Sequence, residues 1–323
     1  MEEVTSGRDD RERDGSLYDR PVPSEHRNRP RSMTIPPEAA PLVDVSTRPG
    51  LAARVGALWR SRELLVNLTR KELKVRYKDS VLGFLWTLLN PLLYLVVFSL
   101  VFAEIIRVDV PTFGIFLLTG LLAWNLLSAG VNGGTASIVA NAPLVQKVRF
   151  SREVLPLAAV GAAVVNFGLQ LLVLVAGMAV LAHPPDLGYL PVLVVAFVAL
   201  VLLTTSLAIG LSAINVSLRD TSHFVELGLL AWFWMSAIVY PYHLVADRLG
   251  DLEWLTVLNP MIPVTTAFQR ALYNPDGPGV VPVDVGAGWY LGRLGVTVAV
   301  SLLILAVSVW AFARLEDDFA EEI

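Results

Sequence analysis

The sequence predicts an all-α polytopic membrane protein. It has six transmembrane helices, an N-terminal interfacial amphipathic helix, and short re-entrant or outer helices between spans five and six. Three observations carry this prediction. Of the 323 residues, 54% are hydrophobic and 17% charged, against about 25% charged in a soluble domain. The apolar residues are gathered into several runs near the ~20 residues that cross a bilayer. Lys and Arg concentrate on alternate connections between these runs, the asymmetry that orients a membrane chain.

Residues 1–50 are rich in Arg, Asp, Glu, Pro and Ser. Such a segment buries too little apolar surface to offset its ordering entropy, so it reads as a disordered cytoplasmic tail. Its mixed charge signs argue against a nucleic-acid-binding arm. The polar start argues against a cleavable signal peptide, leaving the first apolar helix to direct insertion.

Residues 51–80 form the interfacial element. At 100° per residue, Leu51, Val55, Leu58, Trp59, Leu65, Val66, Leu73 and Tyr77 share one side, and Arg60, Arg70, Lys71, Lys74 and Arg76 the other. Arg62 and Lys78 fall among the apolar residues, where their stems can snorkel. This is the pattern of a helix lying in the membrane surface.

The spans follow at 84–106, 113–131, 154–181, 190–214, 224–240 and 289–312, within a domain covering 81–323 that ends in a cytoplasmic tail. Pro91 removes a backbone donor from span one and predicts a kink there. Gly210, Ser212 and Ala213 give span four a small face suited to close packing. An inside N-terminus places 51–80, 133–153, 215–223 and the C-terminal tail in the cytoplasm, with most of the Lys and Arg near the spans. Arg107, Arg248, Arg270 and Arg293 fall on the other side. The connection at 241–288 is too long for a simple link. Met261 to Tyr273 reads as a short helix after Asn259-Pro260. Irregular backbone at membrane depth must be buried in protein or line a cavity, so this region is expected to seal one end of a pathway.

Several chemistries are excluded. The chain has no cysteine, hence no disulfide, thiolate ligand or cysteine nucleophile. It has no G-x-x-x-x-G-K-[ST] loop to cradle phosphates. His26, His183, His223 and His243 lack metal-ligand spacing and read as solvated or interfacial. Glu104 and Glu226 are the carboxylates within spans, both near a membrane surface, and Glu226 can reach water or Arg219. No carboxylate falls near the midplane, which disfavours ion-driven transport, and no internal repeat supports an inverted-repeat transporter.

Trp124 and Trp289 fit an interfacial aromatic belt. Deeper rings, Trp86, Tyr94, Phe98, Trp232, Phe233 and Trp234, either pack the bundle or line a pathway for sugars, whose C–H faces stack on flat apolar rings. The sequence NAPLVQKVRFSRE at 141–153 sets Val148 and Phe150 among Lys147, Arg149 and Arg152. It reads either as a short helix resting on headgroups or as one that plugs into a cleft on a partner.

At these residues the sequence resembles the type-2 ABC exporter permeases, in the branch that exports bacterial polysaccharides and polyol phosphates. The motifs are RKELKVRYKDSVLGFLW at 70–86, VQKVRFSREVLPL at 145–157, LRDTSHFVELGLLAWFWMSAIVY at 218–240, LNPMIPVTTAFQRALY at 258–273 and RLEDDFAEEI at 314–323. Their order and spacing cover about 55–323. The resemblance implies a homodimer of this chain with two copies of a P-loop ATPase, in the bacterial plasma membrane with both termini cytoplasmic. ATP and Mg would sit on the ATPase and no cofactor on this chain. Val148, Arg149, Phe150, Ser151, Arg152 and Glu153 would form the coupling helix, with Arg219 and Asp220 contributing at the next loop. Arg70, Lys71, Lys74, Arg76 and Lys78 would meet a lipid-linked diphosphate from the inner leaflet. The expected cargo is a polysaccharide or polyol-phosphate polymer on a polyprenyl diphosphate. The alternatives are export of a small lipid or drug, a secondary transporter, and a membrane enzyme such as an acyltransferase, for which no catalytic constellation is visible.

Overall fold

The computed structural model describes residues 56, 59–77, 85–105, 110–148, 150–273, 280–316 and 319–322. The expectations for the 1–50 tail and for Leu51, Val55, Leu58, Lys78, Arg107 and Arg149 lie outside these residues. So do the expectations for the side chains of Arg76, Tyr77, Trp86 and Glu104.

Every regular element among the described residues is helical. The larger ones are α1 (Arg62–Tyr77), α2 (Leu85–Phe98), α3 (Phe113–Ala140), α4 (Ala142–Lys147), α5 (Val154–Val180) and α6 (Leu190–Ser217). They are followed by α7 (Thr221–Trp234), α8 (His243–Leu249), α9 (Met261–Phe268), α10 (Ala287–Leu315) and α11 (Phe319–Glu322). Four of them, α3, α5, α6 with its preceding turn, and α10, are long and apolar enough to cross a membrane. The chain is therefore a polytopic membrane protein.

Helix α6 stands at the centre, packed on α3 along one side and α10 along another, while α5 lies against α3. Small residues set these distances. A Cβ on Gly134 would stand 2.5 Å from Ala208 Cβ, and one on Gly210 would stand 2.5 Å from Ser308 Oγ. In lipid, where water drives no helix together, such close approach is the source of packing energy. The small face expected at Gly210, Ser212 and Ala213 is buried against its neighbours. Gly134 also explains why the second span outruns its expected end at 131. Gly134 lies against α6 there. The helix continues to Ala140, ~42 Å in all at 1.5 Å per residue.

Helix α2 runs unbroken through Pro91, where a kink was expected, and passes into a π-helical stretch at Ser99–Ile105. The fifth span departs most from expectation. Helix α7 has 14 residues, ~21 Å against a ~30 Å hydrocarbon core. The chain then leaves helical geometry at Met235, with Ala237 at a left-handed φ of 48°. Ser236, Ala237, Ile238 and Val239 are fully buried. Their backbone is served by the segment folded back after them. Asn259 Nδ2 donates to the Met235 carbonyl at 2.8 Å, and Thr265 Oγ1 reaches the Ser236 carbonyl at 3.1 Å. The same asparagine accepts from Trp232 Nε1 at 2.7 Å and from the Met261 N–H at 3.1 Å. Non-helical backbone is thus satisfied by protein, as a bilayer interior demands. The helix expected after Asn259-Pro260 is present as α9 and a π turn at Gln269–Tyr273, and α9 is buried along its whole length.

Two apolar clusters divide the bundle along its axis. The larger joins α3, α5, α6 and α9. The smaller sits at the Asn141 end, where Leu68, Ile138, Val145, Leu155, Ile209 and Phe312 meet.

Candidate functional site

A cavity of about 630 Å³ opens between α2, α3, α5 and α7. Its wall has two chemistries. Tyr94 and Phe98 of α2 and Phe233 and Trp234 of α7 supply rings. Phe98 lies 6.4 Å from Phe233 and 6.2 Å from Trp234, centroid to centroid, so the two helices meet through a ladder of aromatics. Four of the six rings singled out in sequence therefore face one space. Trp232 is not among the lining residues. Its indole N–H is engaged by Asn259, and its ring stands edge-on to Trp124 at 6.3 Å. Trp124, expected in an interfacial belt, is buried at 7% exposure and lines the cavity. Its place twelve residues into α3, ~18 Å from the helix start, explains the difference.

The second chemistry was missed in sequence. Asn125 and Asn132 of α3 and Asn166 and Gln170 of α5 line the same space, with Ser128 beside them. Asn125 Nδ2 donates to Gln170 Oε1 at 3.0 Å, linking the helices. The spacing of 7 between Asn125 and Asn132, and of 4 between Asn166 and Gln170, places each pair on one helical face. That periodicity was available as a signal, since uncharged polar groups inside apolar spans rarely face lipid. Glu226, five residues into α7, also lines the cavity.

The Asn141 end of the bundle is stitched from five elements. Lys71 Nζ of α1 donates to Asn141 Oδ1 at 2.5 Å, and Asn141 donates back to the Ser137 carbonyl at 2.8 Å. Helix α1 packs on α5 through Leu68 and Thr69, the latter against Gly161. Its buried face is thus Leu64, Leu65 and Leu68, while Trp59 and Val66, expected on the apolar side, are exposed. Arg70 and Lys74 are exposed.

The expected helix at 148–153 is corrected. The short helix is Ala142–Lys147, started by Pro143 in its first turn. The chain is extended at Val148 and turns at Arg152 and Glu153. Pro near a helix start is pre-organised for it, whereas the β-branched Val148 favours extended chain. Val148 is about half exposed, but Phe150 is half-buried on the chain's own smaller cluster. Ser151 Oγ donates to the buried Glu153 at 2.6 Å. Arg152 donates to the Glu316 carbonyl and lies over the Phe319 ring, itself edge-on to Phe312 at 5.3 Å. Ser217 Oγ donates to Glu322 at 2.6 Å, and Arg219 and Asp220 are exposed beside it around a second cavity. Helix α11 thereby holds the 148–153 and 217–220 loops together.

At the opposite end, charges are paired on rings. Arg270 bridges Asp186 at 2.8 Å over the Tyr189 ring, and Arg293 bridges Glu253 at 3.0 Å over Trp289. Tyr242 donates to Glu253 at 2.6 Å, and burial pushes its phenol up to about 12. His183, expected to be solvated or interfacial, is half-buried and its Nε2 bonds the Tyr273 carbonyl. Among the described residues no cluster of His, Asp or Glu could hold a metal.

A polytopic helical bundle enclosing a polar and aromatic cavity, with a densely bonded loop surface at one end, has the build of a membrane transport subunit. The chain belongs to the ABC-2 type transporter family, whose model matches residues 63–273. It is similar to the O-antigen export system permease protein RfbA of Myxococcus xanthus, at 37% identity over 273 residues, 83% of this chain and 98% of the relative. It is also similar to two proteins of that name from Klebsiella pneumoniae. These are 30% and 31% identical over 259 residues, 80% of this chain and 94% of each relative.

Proposed function

We propose that this chain is the permease subunit of an ATP-driven exporter that moves a polysaccharide on a polyprenyl diphosphate across the bacterial plasma membrane. The observation that carries this reading is likeness along nearly the full length of permeases named for O-antigen export. The central cavity supports it, because flat rings and carboxamides suit sugar faces and hydroxyls.

In this reading the chain makes six crossings, counting α2 with its π-helical extension and α7 with the buried segment after it. The Asn141 end is cytoplasmic, where Lys and Arg are densest. Two copies assemble with two P-loop ATPases, which hold ATP and Mg. The α4 to Glu153 loop and the Arg219-Asp220 turn receive the motor. Because α11 bonds to both loops, they move as one surface. The exposed cations of α1, Arg70 and Lys74 with Lys71, meet the diphosphate. Arg76 and Lys78 continue that basic run in sequence. ATP binding can drive transport only by favouring one arrangement of the bundles over the other.

The test is co-purification with a P-loop ATPase from the same genome, in mild detergent. A stable complex that hydrolyses ATP is expected, and Val148→Asp is expected to lose the ATPase while the permease stays monodisperse. Failure of every such ATPase to bind would sink the reading. Transport of a small lipid but not of a lipid-linked glycan would turn it toward the small-lipid alternative.

A further inference from the structure

The cavity that the export reading uses also indicates which kind of polymer it accepts, and this inference rests on that reading. Among its described lining residues there is no Lys, Arg or His, and there is one carboxylate, Glu226. The polar remainder is amide and hydroxyl: Asn125, Ser128, Asn132, Asn166 and Gln170. An anion moved into such a space finds no counter-charge and meets a like charge, and an unpaired ion in an apolar surrounding is strongly disfavoured. A hydroxyl finds the opposite. Each carboxamide offers both a donor and an acceptor, and a sugar hydroxyl is both as well. Away from water such bonds gain strength. The rings on the facing wall then cover the C–H face of the same sugar.

We infer that Asn125, Gln170 and Glu226 make this cavity a filter for uncharged, hydroxyl-rich sugar units and against anionic ones, including phosphate-bridged polyols and uronates. The volume of about 630 Å³ falls within the ~300–1,000 Å³ of clefts that take small organic ligands, so the filter reads a few sugar rings at a time. The Asn125–Gln170 bond of 3.0 Å keeps the pair satisfied between sugars and is exchanged for bonds to a passing hydroxyl. The diphosphate of the carrier is charged too, but it is met by the cations of α1 at the cytoplasmic end.

The experiment uses the permease with its ATPase in proteoliposomes and two probes on the same polyprenyl diphosphate. One carries a short neutral hexose oligomer, and the other its hexuronate counterpart, oxidised at C6. ATP-dependent movement of the neutral probe is expected to exceed that of the uronate at least about tenfold, well below the ~10⁴-fold discrimination that a site built for hydrogen bonding can reach. Glu226→Gln, which keeps the shape of an exposed side chain, is expected to narrow that ratio several-fold by raising uronate movement alone. Asn125→Leu with Gln170→Leu is expected to slow the neutral probe while ATPase binding is unchanged. Equal movement of both probes by the native complex, or a ratio unmoved by Glu226→Gln, overturns the filter and leaves the export reading standing. Movement of neither probe by an intact, ATP-hydrolysing complex overturns both.

Discussion

At the scale of single residues, the bundle depends on positions with no room to spare. Gly134 faces Ala208 so closely that an added methyl must displace it. Overpacking of this kind costs about 1–3 kcal/mol, so Gly134→Val should lower the detergent melting temperature clearly, while Gly168→Val, with open space at its Cβ, should change it little. The Asn259 side chain makes four hydrogen bonds, none of which an apolar residue of the same shape can make. Asn259→Leu strands the partly buried Trp232 indole N–H, at about 1–3 kcal/mol for a buried group left unpaired, measurable by thermal unfolding. Tyr242 gives a pH signature. Its phenol is raised to about 12 from an unfolded value near ~10, so the folded state holds a proton there that the unfolded state has released. Stability should fall as pH rises from 10 toward 12, and Tyr242→Phe should remove that component of the decline. Sequence reasoning found Tyr94, Phe98, Phe233 and Trp234 because deep rings stand out by type. It missed Asn125, Asn132, Asn166 and Gln170, because an amide within a span draws notice only when its helical phase is matched to that of another helix.

At the scale of elements, α5, α6 and α10 were legible to within three residues, since continuous apolar runs have few alternatives in a bilayer. The end of α3 and the whole of the fifth crossing were not. The apolar run gives way after Val131, and the contact of Gly134 with Ala208 exists only once α6 is in place. A helix is the default for TSHFVELGLLAWFWMSAIVY, because local sequence does not announce that Asn259 and Thr265 will bond its carbonyls from 24 and 29 residues away. The short helix of the 141–153 loop lies six residues earlier than expected, at Ala142–Lys147 rather than 148–153. Phe150, expected to reach a partner, is half-buried on the chain's own cluster. A test follows at this scale. Arg152→Ala and Phe319→Ala each loosen α11 from the 148–153 loop, and both should increase proteolysis of that loop more than they lower the melting temperature. Unchanged cleavage in both would mean that α11 does not hold the loop.

At the scale of the whole molecule, the two ends of the bundle are built differently. The Asn141 end joins separate segments through short polar bonds around a small apolar cluster. The opposite end pairs arginines with carboxylates over aromatic rings. In the exporter reading, the first end must transmit motion and the second must hold a barrier. Replacing the exposed Arg70 and Lys74, with Arg76, by Glu should therefore reduce export of a lipid-linked glycan while leaving ATPase assembly intact. Export that is unaffected would remove the diphosphate role from α1.

The break at Ala237 also bears on how such chains can diverge. Its carbonyls are answered by residues of a later segment, so neither segment can be inherited alone. A chimaera that takes 221–240 from a relative inherits one half of a lock and keeps the other half of a different one. Exchange of 221–273 as a block carries both halves together. Recombination between relatives is thus expected to leave functional offspring when its crossovers fall outside 221–273, and non-functional ones when a crossover falls between Met235 and Gln269.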